Sequence, residues 1–297
     1  MDDLTVKTPG QRRSADQIRR ATYFARKAWA TSIDLRFRRL ASTYGLPDGS
    51  NRVYCYHIRK TGGTSLTRSF LAVGGEDPAR VHARIGANDL HRTVSGGYGF
   101  VAFDRELLAR GRYFYGWAHR AAHRQPLPPG TFTVTILRDP VDRIRSYFDY
   151  LLVGDRPGMP HAVSEGERRL ASGGFTSFLD QLEANALLRQ VFMFSAKFDV
   201  GEAAQRIAAC SCVMFTEEYD AGVLALGERL GLTLQARRER VTGSRTPLSP
   251  GEHDRLREVL EPEYELLRQL RAAGIGRGEA SNDDGAQAGG QPLDVGE

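Results

Sequence analysis

Cysteine is nearly absent: the 297 residues hold three, Cys55, Cys210 and Cys212. An odd number without a framework excludes the disulfide scaffold of a small secreted domain. Cys210 and Cys212 flank a single serine, too close for an ordinary disulfide, and no further ligand pair completes a zinc site. They read as strand residues. No hydrophobic run is long enough to cross a bilayer, and the first residues lack the apolar centre of a signal peptide. The expectation is a cytoplasmic chain, or one peripheral to a membrane. Internal repeats are missing, and so are the three spaced glycines of a dinucleotide-binding turn.

What is present is ordinary for a globular protein. Hydrophobic residues make up 41% and charged residues 26%, enough for one elaborated domain with a large core. The net charge of +5 is unevenly spread. Residues 1–50 carry ten Lys/Arg against five Asp/Glu, and residues 274–297 carry one against five. This divides the chain into a basic N-terminal helical arm (1–50), a core domain (51–273) and an acidic glycine-rich tail (274–297) expected to be disordered. The arm reads as helix over 15–43, with Ile18, Ala21, Phe24, Ala28, Ile33, Leu35 and Leu40 among arginines. Two readings stand: it lies on an anionic membrane surface, or it packs on its own domain. Aromatic residues fall in strands and helix stripes rather than among the basic residues, so nucleic acid is not expected as a partner.

The organising stretch is His57-Ile58-Arg59-Lys60-Thr61-Gly62-Gly63-Thr64-Ser65-Leu66. A short strand-like run, Arg52 to Tyr56, precedes it, and Leu66, Phe70 and Leu71 follow at helical spacing. The pattern is strand, glycine turn, helix. Glycines let the backbone bend and present N–H groups, the helix start adds about half a positive charge, and Lys60 adds a whole one. Thr64 or Ser65 is placed to cap the helix. The site suits a phosphate or sulfate group.

Further along, residues 74–100 read as irregular structure, 103–110 as a short helix capped by Asp104, and 112–117 as a strand. Thr131 to Leu137 is the clearest strand and stops at Arg138-Asp139-Pro140, a helix start. The helix buries Val141, Ile144, Phe148 and Leu151 and turns Arg143, Ser146 and Tyr150 outward. Helices are expected over 175–195 and 202–209, then a strand from Cys210 to Phe215, a helix from Glu217 to Leu230, a basic loop, and one closing helix over 251–273. Strands alternating with helices predict an α/β fold, a P-loop-like three-layer arrangement of a central parallel sheet flanked by helices. Ligands then sit at the carboxyl ends of the strands. Arg138 and Ser146 are placed there to hold a second anion, and two separated anionic groups on one ligand suggest a nucleotide substituted at both ends.

These two stretches resemble the sulfotransferases that use 3′-phosphoadenosine 5′-phosphosulfate (PAPS), in particular their carbohydrate branch, which includes heparan-sulfate 2-O-sulfotransferase. His57–Leu66 resembles the phosphosulfate loop, and Arg138-Asp139-Pro140-Val141-Asp142-Arg143 with Ser146 and Tyr147 the 3′-phosphate motif. Val213 to Tyr219, Thr242 to Arg245 and Glu263-Tyr264 fit more loosely; the resemblance spans roughly 51–270. It implies that Lys60, Thr61, Gly62, Gly63, Thr64 and Ser65 hold the 5′-phosphosulfate, Arg138 and Ser146 the 3′-phosphate, and that Arg245 closes the nucleotide site. It implies PAPS as co-substrate without a metal, and a hydroxyl of a carbohydrate or glycoconjugate as acceptor. Arg59 stands where the family commonly has proline, and it adds charge beside the phosphosulfate while losing a fixed φ. The family's base is a histidine directly after a glycine at a strand end. Here Gly116 is followed by Trp117, and His119 comes two residues later. His119 is the first candidate, with His123 or an acidic residue of 74–110 as alternatives; His57 reads as structural. Two other functions stay open. One is a catalytically inactive PAPS- or nucleotide-binding protein. The other is a kinase-like phosphotransferase, although Lys60 precedes both glycines where a triphosphate loop has its lysine after them.

Overall fold

The computed structural model describes residues 31–87, 91–153, 163–239 and 245–276. Six strands form one sheet: β1 (Arg52–Tyr56), β2 (Arg92–Ser95), β3 (Tyr98–Ala102), β4 (Tyr115–Ala118), β5 (Thr131–Leu137) and β6 (Cys212–Phe215). Their order is β2-β3-β4-β1-β5-β6, and every pair is parallel except β2 with β3. From β1 the chain runs to the far edge at β2, builds inward through β3 to β4 beside β1, then crosses to the other side of β1 at β5. That reversal beside β1 is where an open α/β sheet leaves a crevice at its carboxyl edge.

Strand alternation sends side chains to two faces. Val53 and Cys55 join a core with Leu66, Phe70 and Leu71 of α2 (Gly63–Ala72), Val81 and Ile85 of α3 (Pro78–Ala87), and Val223, Leu226 and Leu230 of α11 (Tyr219–Leu230). On the opposite face Tyr54 meets Leu108 of α4 (Arg105–Arg110) and Phe37 of a helix whose described part is 31–41 (α1). Farther along that face, α9 (Arg189–Phe194), α10 (Val200–Ala208) and α13 (Glu261–Ala272) cover Leu137 and Phe215. The fold is α/β, with a mostly parallel sheet flanked by helices. A separate helical core joins α5 (Pro140–Val153), α6 (Glu165–Ser172), α7 (Gly174–Gln181) and α12 (Pro250–Val259) around Ile144, Phe148 and Phe178. No helix among the described residues is long and apolar enough to cross a membrane.

The described part of the N-terminal arm packs on its own domain. Phe37 is buried, and the Asp34 carboxylate accepts from Arg92 at 3.3 Å and Arg112 at 2.6 Å. Residues 15–30 of the expected helix, and the tail from 277, lie outside the described residues.

The expectation of irregular structure over 74–100 is corrected to α3 and the β2–β3 hairpin. The hairpin turns at Gly96-Gly97, with φ of 52° and 86°, values that a two-residue hairpin loop demands. The single helix expected over 175–195 is three: α7, α8 (Ala184–Leu187) and α9. Arg143 ends α8 by donating to the carbonyls of Ala186, at 3.2 Å, and Leu187. Arg143 itself was expected outward and is 2% exposed. Helix propensities differ by less than about 1 kcal/mol per residue, whereas burying one Leu or Phe is worth about 1.5–3 kcal/mol. Packing therefore decides where this segment breaks. The closing helix likewise divides at Leu260, with Pro262 in the first turn of α13.

Candidate functional site

Five parallel strand ends open onto one cleft of about 770 Å³. β1 delivers His57 and the glycine turn, β4 delivers His119, and β5 delivers Arg138. β3 adds Phe103, and β6 adds Thr216 and Glu217. Seven Lys and Arg side chains line the cleft against three carboxylates, so its potential favours anions.

The glycine turn is held by several constraints. Lys60 sits in the left-handed region at φ 71°, a conformation that costs a non-glycine residue about 1–3 kcal/mol. Its ammonium lies 4.4 Å from the centre of the Tyr150 ring, an attraction that helps fix the side chain in the cleft. Gly62 follows at φ 95°. A Cβ on Gly63 would lie 2.2 Å from the His57 ring, so the imidazole lies where any side chain would go. Gly63→Ala is expected to cost about 1–3 kcal/mol through overpacking, read as a lower urea midpoint with an unchanged slope.

α2 has no side-chain cap, which corrects the expected role of Thr64 or Ser65. The first-turn N–H groups therefore remain a charge-bearing end at the cleft floor formed by Gly62 to Ser65. The Ser65 hydroxyl accepts from the Glu239 N–H at 3.0 Å, tying the 232–239 segment to the helix. Thr61 departs from its expected part. It is 1% exposed, does not line the cleft, and its hydroxyl donates to the Ile58 carbonyl at 3.1 Å. Its own carbonyl accepts from Thr216, which also reaches the Leu137 carbonyl, so β6 clamps the turn to β5.

α5 presents Asp142, Ser146 and Tyr150 to the cleft. Residues four apart share a helix face, and Asp142 takes the place that was expected for Arg143. Asp139 caps this helix by accepting from the Asp142 N–H at 2.9 Å. Arg138, at the helix entry, donates to the Lys60 carbonyl at 3.1 Å, so the two expected anion sites touch. Burial pushes the Arg138 guanidinium pKa down, with Asp142 opposing. Arg245 lines the cleft while paired with both oxygens of Asp142, at 2.9 and 3.2 Å. Arg59 also lines it, 2.8 Å from Glu167 and over the Tyr147 ring. Thr242 to Ser244 lie outside the described residues.

His119 lines the cleft, and His123 does not. β4 continues two residues past Gly116 to Ala118, so His119 is the first residue after the strand. Its Nδ1 lies 2.7 Å from the His57 carbonyl. A carbonyl only accepts, so Nδ1 donates and a neutral ring keeps its lone pair on Nε2. His123 instead packs edge-on to Phe192, and burial, with Arg124 and Arg206 nearby, pushes its pKa down. Among the described residues, no Asp or Glu of 74–110 lines the cleft.

No family model matches this chain, and no curated protein matches it. The site therefore rests on its own geometry. That geometry adds residues to which the sequence pattern gave no site role: Phe103, Arg189, Arg237 and Arg238, and from the loosely fitting Val213–Tyr219 stretch Thr216, Glu217 and Tyr219. Arg237 and Arg238 stand in the expected basic loop, and the others arrive only through strand order or helix breaks.

Proposed function

We propose that this chain is a PAPS-dependent sulfotransferase acting on a hydroxyl of a carbohydrate or glycoconjugate. One observation carries the reading: the uncapped start of α2, with Lys60 beside it, and Arg138 at the start of α5 meet in a single cationic cleft. A nucleotide bearing separate anions at its 3′ and 5′ positions fits that donor set. In this reading the P-loop-like turn after β1, Lys60, Gly62, Gly63, Thr64 and Ser65, holds the 5′-phosphosulfate. Arg138 and Ser146 hold the 3′-phosphate, and Arg245 flanks it. Thr61 contributes through the backbone that Thr216 fixes.

Bound PAPS would supply an activated sulfuryl group. The S–O bond to phosphate breaks, its electron pair stays on the phosphate oxygen, and a new S–O bond forms to the acceptor oxygen. His119 Nε2 takes the acceptor's proton as general base. Lys60 offsets charge growing on the phosphate oxygen. The first test is transfer of labelled sulfate from PAPS to a panel of polysaccharide and glycoconjugate acceptors. Transfer supports the reading; failure of adenosine 3′,5′-bisphosphate to bind in calorimetry overturns it. His119→Gln is expected to lower kcat about 10²–10⁴-fold with bisphosphate affinity retained. Unchanged turnover would remove His119 from the mechanism.

A further inference from the structure

We propose that Gln190, which is not among the residues lining this cleft, is a positioning residue that sets Arg138 for its anion. The proposal rests on the reading of Arg138 as a nucleotide contact. Arg138 is the first residue beyond β5, where the ladder with β6 has ended. Its backbone would be left without strand partners there, yet both polar groups are satisfied by one side chain. The Arg138 N–H donates to Gln190 Oε1 at 2.9 Å, and Gln190 Nε2 donates to the Arg138 carbonyl at 3.0 Å. The carboxamide thus imitates a neighbouring strand for one residue.

Gln190 is itself anchored from behind. It is fully buried, as is Glu263 of α13. Glu263 accepts from the Gln190 backbone N–H at 2.6 Å and from Nε2 at 2.9 Å. Glu263 also pairs with buried Arg143, whose guanidinium fixes the break before α9. Both carboxamide atoms and both carboxylate oxygens are thereby engaged, and a fully satisfied buried network holds one arrangement. The adjacent residue serves the neighbouring strand: Arg189 donates to the His119 carbonyl at 2.8 Å. The first turn of α9 therefore grips the ends of β4 and β5 together, and it holds the candidate base in register with the nucleotide arginine. No other residue type does this at 190. Glutamate lacks the donor and would set a second carboxylate against Glu263; asparagine is one methylene short.

The test compares two nucleotides on the full chain by calorimetry: adenosine 3′,5′-bisphosphate and adenosine 5′-monophosphate. The wild type is expected to favour the bisphosphate, and Arg138→Ala to erase that preference. Gln190→Met should cut the preference about tenfold or more while leaving monophosphate affinity within about twofold. In an Arg138→Ala background the same change should have no further effect, since it acts through Arg138. Gln190→Asn, a milder change that keeps the fold if the methionine variant does not, should move the preference in the same direction. A wild type that binds neither nucleotide sinks the functional reading itself. A wild type that discriminates, with Gln190→Met and Gln190→Asn discriminating equally well, overturns the positioning role alone. So does a loss of both affinities in equal proportion, which marks a merely structural residue.

Discussion

Lys60→Ala should lower kcat for sulfuryl transfer by about 10²–10³-fold, the usual loss on removing one electrostatic contact to a developing anion. The loss should fall mainly on kcat, with a smaller change in bisphosphate affinity. The reason is geometric. α2 keeps its own N-terminal charge without Lys60, and Arg138 remains at its place through the Gln190 carboxamide. Alanine removes the cation beside the turn and leaves the backbone of the turn in place. The fold should survive, because alanine meets the same left-handed strain at this position that lysine already bears. What it loses is the ammonium over Tyr150, an attraction of about 0.5–2 kcal/mol. Steady-state transfer of labelled sulfate and calorimetric binding separate the two quantities. Equal activity of wild type and variant would remove Lys60 from the mechanism.

Glu263→Ala should have the largest effect on stability, a loss of about 3–5 kcal/mol. The carboxylate is fully buried, and its main partner Arg143 is 2% exposed. Removing it leaves a buried guanidinium uncompensated and takes acceptors from the Gln190 N–H and Nε2. An exposed pair such as Arg268 with Glu261 is worth about 0–1 kcal/mol by comparison, so Glu261→Ala serves as the control. Urea unfolding of the two variants measures the difference directly. Arg143→Met combined with Glu263→Met should cost less than the sum of the single changes, because no charge is left behind. A loss for Glu263→Ala near that of Glu261→Ala would show that the buried pair does not stabilise the fold.

Several features of the site were legible in the chain itself. A strand, two glycines with a lysine before them, and an amphipathic helix after them place an anion site at β1. Arg138-Asp139-Pro140 marks the end of β5 and a capped helix, and Asp139 does accept from Asp142. Gly96-Gly97, between two runs of β-branched and aromatic residues, carried a hairpin signal that the surrounding charge masked. Other features had no local signature. Arg143 looks like a solvated helix residue at its own position. Only the arrival of Glu263, 120 residues later, makes it a buried one. His119 follows no glycine at a strand end, yet the extra two residues of β4 bring it to the cleft.

By itself the sequence determined the alternation of strands and helices, the glycine turn and the Arg138 helix start. All of these depend on residues within about one turn or one strand of each other, where propensity, capping and periodicity act. The tertiary structure decided which strands are neighbours, and therefore that the ends of β1, β4 and β5 share one cleft. It also turned Thr61 inward, left the start of α2 without a side-chain cap, and broke one long helix so that Arg189 and Gln190 grip those strand ends. Most of these outcomes turn on polar groups whose partners are distant in the chain: Gln190 is 52 residues from Arg138, Arg189 is 70 from His119, and Thr216 is 155 from Thr61. Satisfying such groups outweighs local preference, and no local pattern records where their partners are.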